Sequence, residues 1–379
     1  MPQIGLHAMY PEAVHDEQSR QNFIRNLRSH VLGTLLGGTP AVYEARVKPA
    51  FEKSAKRAPR TAREAFNAMQ QDDYAKTFSS LNRTTQEMLY DTVGPSIVRQ
   101  LPALVARSKK GGRKLGSLTL DPAVQVPRYN AAADIHCKPG GYHSEITEDD
   151  LFAGAEYDRS INVYFFGTLG PYNEDMGASV AHWLHTTYPA FAPKRILDLG
   201  CTIGHSTLPY CEVFPRARID AIDVAAPVLR YGHARAEALG CAVHFAQQNA
   251  EATSFPSESF DLVVSHLLLH ETSTGAMQRI FGECHRLLRP GGMMVHMDGV
   301  AFKDDPFDGY FSEWLTHYNN EPFLGTLQRL DWTDMAVKAG FARDRAFGTR
   351  IPSRQVNGNA TLSKKETGTH YIFAATKTV

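Results

Sequence analysis

The sequence predicts a doubly wound, mostly parallel α/β core preceded by a mainly helical domain. Three observations point there. Arg195-Ile-Leu-Asp-Leu-Gly-Cys-Thr-Ile-Gly-His-Ser-Thr207 reads as a short buried strand, a tight glycine turn and the start of a helix. From there to the end, short apolar runs alternate with amphipathic stretches, the pattern of strands joined by crossover helices. Before residue 150 the spacing is mostly helical. The chain has 379 residues, whereas such a sheet needs roughly 200. Residues 1–150 are therefore expected to form a helical cap or dimerisation domain. Residues 151–379 would form the core, with an aromatic-rich insertion at 299–332.

Taken in order, Phe23, Leu27 and Val31 recur at four-residue spacing with Ile24 beside them, a helix closed by Gly33 and Gly37-Gly38. Further helices are predicted over Thr61–Gln70 and Thr84–Val93, the latter stopping before Gly94-Pro95. Gly111-Gly112 marks a loop tip within a basic run, and the segment to Tyr129 alternates too briefly to assign. Asp134 to Glu145 is rich in turn formers and reactive side chains. Met176, Val180, Trp183, Leu184 and Thr187 form an amphipathic stripe ending near Pro189, expected to pack on the sheet.

The first core strand carries Ile196, Leu197 and Leu199, with Asp198 between them. A second runs from Ala217 to Val224, placing Asp223 about 20 residues past the glycine loop, where a ribose-binding acid belongs. Pro227 suits a first helical position and Gly240 a helix stop. A strand ending at Ser265 follows, then Pro290-Gly-Gly turning into a strand that ends at His296 and Asp298. Phe341–Phe347 and His370–Lys377 complete the sheet.

Dinucleotide binding would require Gly-x-Gly-x-x-Gly at the loop, and no such run occurs. Asp198-Leu-Gly-Cys-Thr-Ile-Gly204 instead resembles the first motif of the class I S-adenosylmethionine-dependent methyltransferases. Asp223, the turn after Phe245 and Leu288-Arg-Pro-Gly-Gly follow in that family's order, and the resemblance spans Tyr172 to Lys377. It implies a seven-stranded Rossmann-like sheet and S-adenosyl-L-methionine as cofactor. The matching positions for that cofactor are Asp198, Gly200, Cys201, Thr202 and Gly204 in the loop and Asp223 and Val224 at the ribose. Asn249, Ala250 and Glu251 match the adenine turn, and Ser265 and His266 the strand tip. Two positions depart from the pattern. Thr202 stands where the family carries its middle glycine, and Asn249 where many members have an aspartate, so the adenine bond becomes neutral and weaker.

In such a sheet, ligands bind beyond the carboxyl ends of the strands where strand order reverses. His270 and His266 follow one strand tip and are the base candidates for a hydroxyl, thiol or ammonium acceptor. Tyr142 and His143 are placed to cap the pocket. Tyr172, His270, Asp298, Tyr310 and Trp314 complete the substrate-binding candidates. Tyr310, Phe311, Trp314, Leu315 and Tyr318 share one helical face within a stretch that also holds Phe302, and suit an apolar or aromatic acceptor. His136, Cys137 and His143 lack a ligand spacing, so no metal is expected.

Lys+Arg and Asp+Glu are both 40, which argues against a nucleic-acid partner held by counterion release. Five cysteines without a Cys-x-x-Cys pair fit a reducing cytoplasm. No apolar run reaches membrane-spanning length, so no membrane partner is expected. The sequence-level expectation is a cytoplasmic methyltransferase acting on a small molecule, its N-terminal domain a candidate homodimer contact. The alternatives are a protein methyltransferase, or an S-adenosylmethionine-binding protein that senses the ligand or catalyses another reaction.

Overall fold

The computed structural model describes residues 4–110, 114–299, 305–355 and 369–378. Among these described residues, eight strands form one sheet: β1 (Ser117–Thr119), β2 (Arg195–Leu199), β3 (Arg218–Asp223), β4 (Val243–Gln247), β5 (Phe260–His266), β6 (Leu288–Met297), β7 (Ala346–Pro352) and β8 (Thr369–Thr376). Their order is β1-β4-β3-β2-β5-β6-β8-β7. Only β8 runs against the others. Strand order reverses between β2 and β5, and this switch point creates the crevice. The strands next to it are apolar because both faces are covered: Leu197, Leu199, Val263 and Val264 are all buried.

The doubly wound core is as predicted, with two differences at its edges. β1 adds an eighth strand parallel to β4 (Leu118 opposite Phe245), a segment too short to stand out by periodicity. The strand predicted from Phe341 starts instead at Ala346, because Phe341 is tucked into the apolar layer under the helix Trp332–Lys338. The stripe from Met176 forms the helix Asp175–Thr187, as expected, with Val180 and Leu184 fully buried.

The N-terminal region is helical, but its helices run longer than predicted. His15–His30 continues through Gly33 and Gly37-Gly38 to Ala55 with two π-helical stretches. It buries Ile24, Arg28 and Val31 and leaves Phe23 exposed, so the inward face is rotated from the one expected. Asp73–Val98 passes straight through Gly94-Pro95. Packing against the helix Phe152–Tyr164, where Gly94 faces Glu156, outweighs the lost backbone bond. Val31, Phe66 and Phe78 lie in a cluster that also takes in Tyr310 and Trp314, so the N-terminal helices and the aromatic insertion build one lid. Phe302 and Gly111-Gly112 lie outside the described residues.

Candidate active site

A cavity of about 540 Å³ opens between the strand tips and this lid. Its floor comes from the loops after β2, β3, β5 and β6: Gly200 and Thr202, Asp223 to Ala225, His266 to Leu268, His270 and Glu271, and Asp298. Asn249 and Ala250, beyond β4, close one end. Gly200 holds φ +68°, the left-handed region that favours glycine, and a Cβ would also crowd Leu268 Cδ1 at 2.7 Å. Thr202 has φ +50°, a left-handed conformation that a β-branched residue rarely adopts. Its amide donates to Asp223 Oδ2 at 3.0 Å, and the Ala225 amide to Oδ1 at 3.0 Å. Burial pushes the Asp223 carboxyl up to about 6 in spite of these amides. Asp198 Oδ1 and His266 Nδ1 are buried without a hydrogen-bond partner and face each other at 3.6 Å. Polar atoms left open beside a glycine-backed floor suit a nucleoside with a charged amino-acid tail.

At the acceptor side, β6 ends in Asp298, which accepts from the amides of Leu269 and His270 at 2.6 and 3.1 Å and holds His270 Nδ1 at 2.7 Å. Burial opposes charge on this imidazole, but Asp298, Glu321 and Glu271 outweigh it and push its pKa to about 9. The loop after Asp134 brings His136 against Glu271 (Nε2 to Oε1, 3.0 Å) and Glu321 (Nδ1 to Oε1, 3.1 Å). Tyr142 donates to the same Glu271 oxygen at 3.3 Å. Gln86 Nε2 donates to the His136 carbonyl at 2.7 Å, and buried Lys138 pairs with Glu156, so the loop is pinned to the helices beneath it.

Of the residues singled out by sequence, Gly200, Thr202, Asp223, Val224, Asn249, Ala250, His266, His270, Asp298, Tyr142 and Trp314 come together around the cavity. Asp198 lies just beneath it, accepting from Thr207 Oγ1. Cys201 is buried in the core, and Gly204 (φ +82°) turns the loop into the following chain. Ser265 is turned away onto His296 Nδ1 at 2.8 Å. Glu251 is engaged by Tyr129 and Arg279 outside the cavity wall. Tyr172 is 37% exposed, and His143 and Tyr310 do not line the cavity. Tyr310 packs on Phe307 and Phe66 inside the lid. Trp314 does both jobs: its ring is stacked among Phe311 and Tyr318, its Nε1 donates to Ser79 at 2.9 Å, and it lines the cavity roof. Sequence reasoning missed Glu321, Asn319, Tyr157 and Tyr164. Nothing local in the sequence distinguishes them from ordinary polar and aromatic residues.

A cavity at the switch point of a doubly wound sheet, with an acid at the tip of β3, defines a ligand-binding α/β protein. Residues 196–292 match the family described as a methyltransferase domain. The chain is 33% identical over 137 residues to the demethylmenaquinone methyltransferase of Thermus thermophilus, covering 36% of this chain and 60% of that protein. It is 34% identical over 106 residues to the malonyl-[acyl-carrier protein] O-methyltransferase of Methylococcus capsulatus, covering 27% and 36%. The Haemonchus contortus phosphoethanolamine N-methyltransferase 2 in complex with S-adenosyl-L-methionine superposes with a TM-score of 0.44 at 18% identity, over 62% of this chain and 61% of that one. The chain spans about half the length of the curated relatives it matches. Over residues 196–292 its core is thus similar to the class I S-adenosylmethionine-dependent methyltransferases.

Proposed function

We propose that this chain binds S-adenosylmethionine and transfers its methyl group to a small acceptor with a largely apolar body. The observation that carries this reading is the single cavity that joins the family's cofactor positions to an enclosed polar cluster beneath an aromatic roof. Asp223 would accept from the ribose hydroxyls, Asn249 from the adenine amino group, and Asp198 with His266 would face the amino-acid tail. When bound, the cofactor supplies a methyl group already activated on a sulfonium, so orientation and exclusion of water are the main demands on the protein.

The lid meets both demands. Leu32, Leu36, Phe311 and Trp314 line the cavity from the lid side and would cover the acceptor. A hydroxyl, thiol or ammonium acceptor must also lose a proton; His270 faces the chamber with its ring fixed through Nδ1 by Asp298, and with its pKa raised to about 9 it would take that proton through Nε2 only in alkaline solution, where the ring is neutral. His266 lies toward the cofactor side, near Asp198 and Tyr210. Among the described residues no helix is long and apolar enough to cross a membrane.

The test is incubation of the purified chain with S-adenosylmethionine and a panel of aromatic and aliphatic hydroxyl, thiol and amine acceptors. Acceptor-dependent release of S-adenosylhomocysteine with a methylated product supports the proposal. Cofactor binding with no transfer across the panel and a cell extract would favour a ligand sensor instead.

A further inference from the structure

We infer that His136, His270 and Glu271 form a binding site for one divalent transition-metal ion at the acceptor end of the cavity. One ligand atom from each lies within 4.8 Å of the others. Donors bound at about 2.1 Å to a common ion lie roughly 3–4 Å apart, so side-chain adjustments of about an ångström would bring them to ligand distance.

The surroundings argue for a built site more strongly than the distances do. Metal-ligating histidines commonly bond a carboxylate through the ring nitrogen that does not face the ion, which fixes the tautomer and the ring plane. Both histidines here are held in that way. His270 Nδ1 sits on Asp298 Oδ1 at 2.7 Å, leaving Nε2 toward the cluster. His136 Nδ1 sits on Glu321 Oε1 at 3.1 Å, leaving Nε2 beside Glu271 Oε1. Glu321 is in turn fixed by Asn319, and Glu271 by the Tyr142 hydroxyl. The two imidazoles meet edge to face, with planes at 67° and centroids 6.1 Å apart, and do not stack.

The backbone supports the same assignment. His136 and Cys137 are consecutive non-glycine residues at φ +56° and +57°. Such strain persists only where surrounding contacts impose it, and here it aims one imidazole at a histidine and a glutamate more than 130 residues away. Two imidazoles and a carboxylate suit zinc, iron(II), cobalt(II) or manganese(II) better than calcium or magnesium. Three protein donors leave coordination positions on the cavity side, where an oxygen, thiolate or nitrogen of the acceptor would bind. That last step rests on the proposed methyl transfer; the ion site does not.

The experiment is titration of the tag-free, chelator-treated 379-residue chain with cobalt(II), followed by visible absorbance, and with zinc(II), followed by calorimetry. S-adenosylmethionine affinity is measured on the same samples. The expected result is one ion per chain, bound at micromolar or lower concentration. His136→Gln and Glu271→Gln should each weaken it at least tenfold with the far-ultraviolet spectrum unchanged. Absence of stoichiometric binding by the wild type, or equal binding by both variants, overturns the site. Metal binding without cofactor binding would refute the methyltransferase reading and leave the site standing.

Discussion

Thr202 and Asp223 show how the cofactor end is tuned one residue at a time. Thr202 holds a left-handed φ of +50°, which costs a β-branched residue about 1–2 kcal/mol. Thr202→Gly should raise stability by about 0.5–1 kcal/mol, read as a higher urea midpoint at unchanged slope, while cofactor binding is retained. Asp223 is held up to about 6 by burial. A raised carboxyl favours the ligand-free fold in acid, and that contribution is lost as pH rises through about 6. Cofactor binding has the opposite sign, because ribose hydroxyls need the ionised acceptor. Affinity should therefore fall by up to about tenfold between pH 7.5 and 5, and a flat profile by calorimetry would exclude Asp223 as the ribose ligand. These residues were legible because a glycine turn and an acid at a strand tip are local signals. His136 and Glu321 were not, since their meaning lies in partners distant in sequence.

At the scale of elements, the lid is a joint between two parts of the chain. The helix Tyr310–Tyr318 is fastened to the helix Asp73–Val98 by Trp314 Nε1 on Ser79 and by Arg83 Nη1 on the Tyr318 carbonyl at 2.9 Å. Trp314→Phe removes one of these bonds and part of a buried ring. It should cost about 1–3 kcal/mol in thermal or urea unfolding, weaken acceptor binding, and leave cofactor affinity within about twofold. A loss of cofactor affinity matching the loss of acceptor would show that the roof also shapes the nucleoside end. The aromatic face of this helix could be read from its spacing, but its partner could not. Periodicity reports that a face is apolar, and Val31, Phe66 and Phe78 are known as its cover only from the fold. The run through Gly94-Pro95 was misread for a related reason: local breakers yielded to packing on Phe152–Tyr164.

Across the whole molecule, one buried carboxylate ties the N-terminus to the core. Asp158 accepts from Tyr231 at 2.8 Å, from His205 at 2.8 Å and from His7 at 3.0 Å, with Arg235 at 3.5 Å. Burial opposes its charge, but Arg235 and the two histidines outweigh it and hold the carboxyl well below its usual range. Burial and Arg235 keep His205 neutral, down to about 4, so its contact is a hydrogen bond to a carboxylate more than an ion pair. Asp158→Ala leaves Arg235 buried without that charge and should cost about 3–5 kcal/mol. The Asp158 contribution is present above the ordinary aspartate range and lost as pH falls through the lowered pKa, so the wild-type advantage over Asp158→Asn should shrink in strong acid. Met9, Ile24 and Leu89 share an apolar cluster with Val228 and Tyr231 of the core, so calorimetry should record one unfolding transition for the intact chain. The central strands were readable as strands because each carries its own apolar run. The clasp was not, because an aspartate amid a helix looks like any solvated charge.

The central claim, that the loops after β2 and β3 hold S-adenosylmethionine, is tested most directly by calorimetric titration of the wild type and Asp223→Ala with that ligand at pH 7.5. One site per chain is expected in the wild type and at least tenfold weaker binding in the variant, corresponding to about 1.5–3 kcal/mol. Equal affinity in the two proteins, or no binding by a folded wild type, would contradict it.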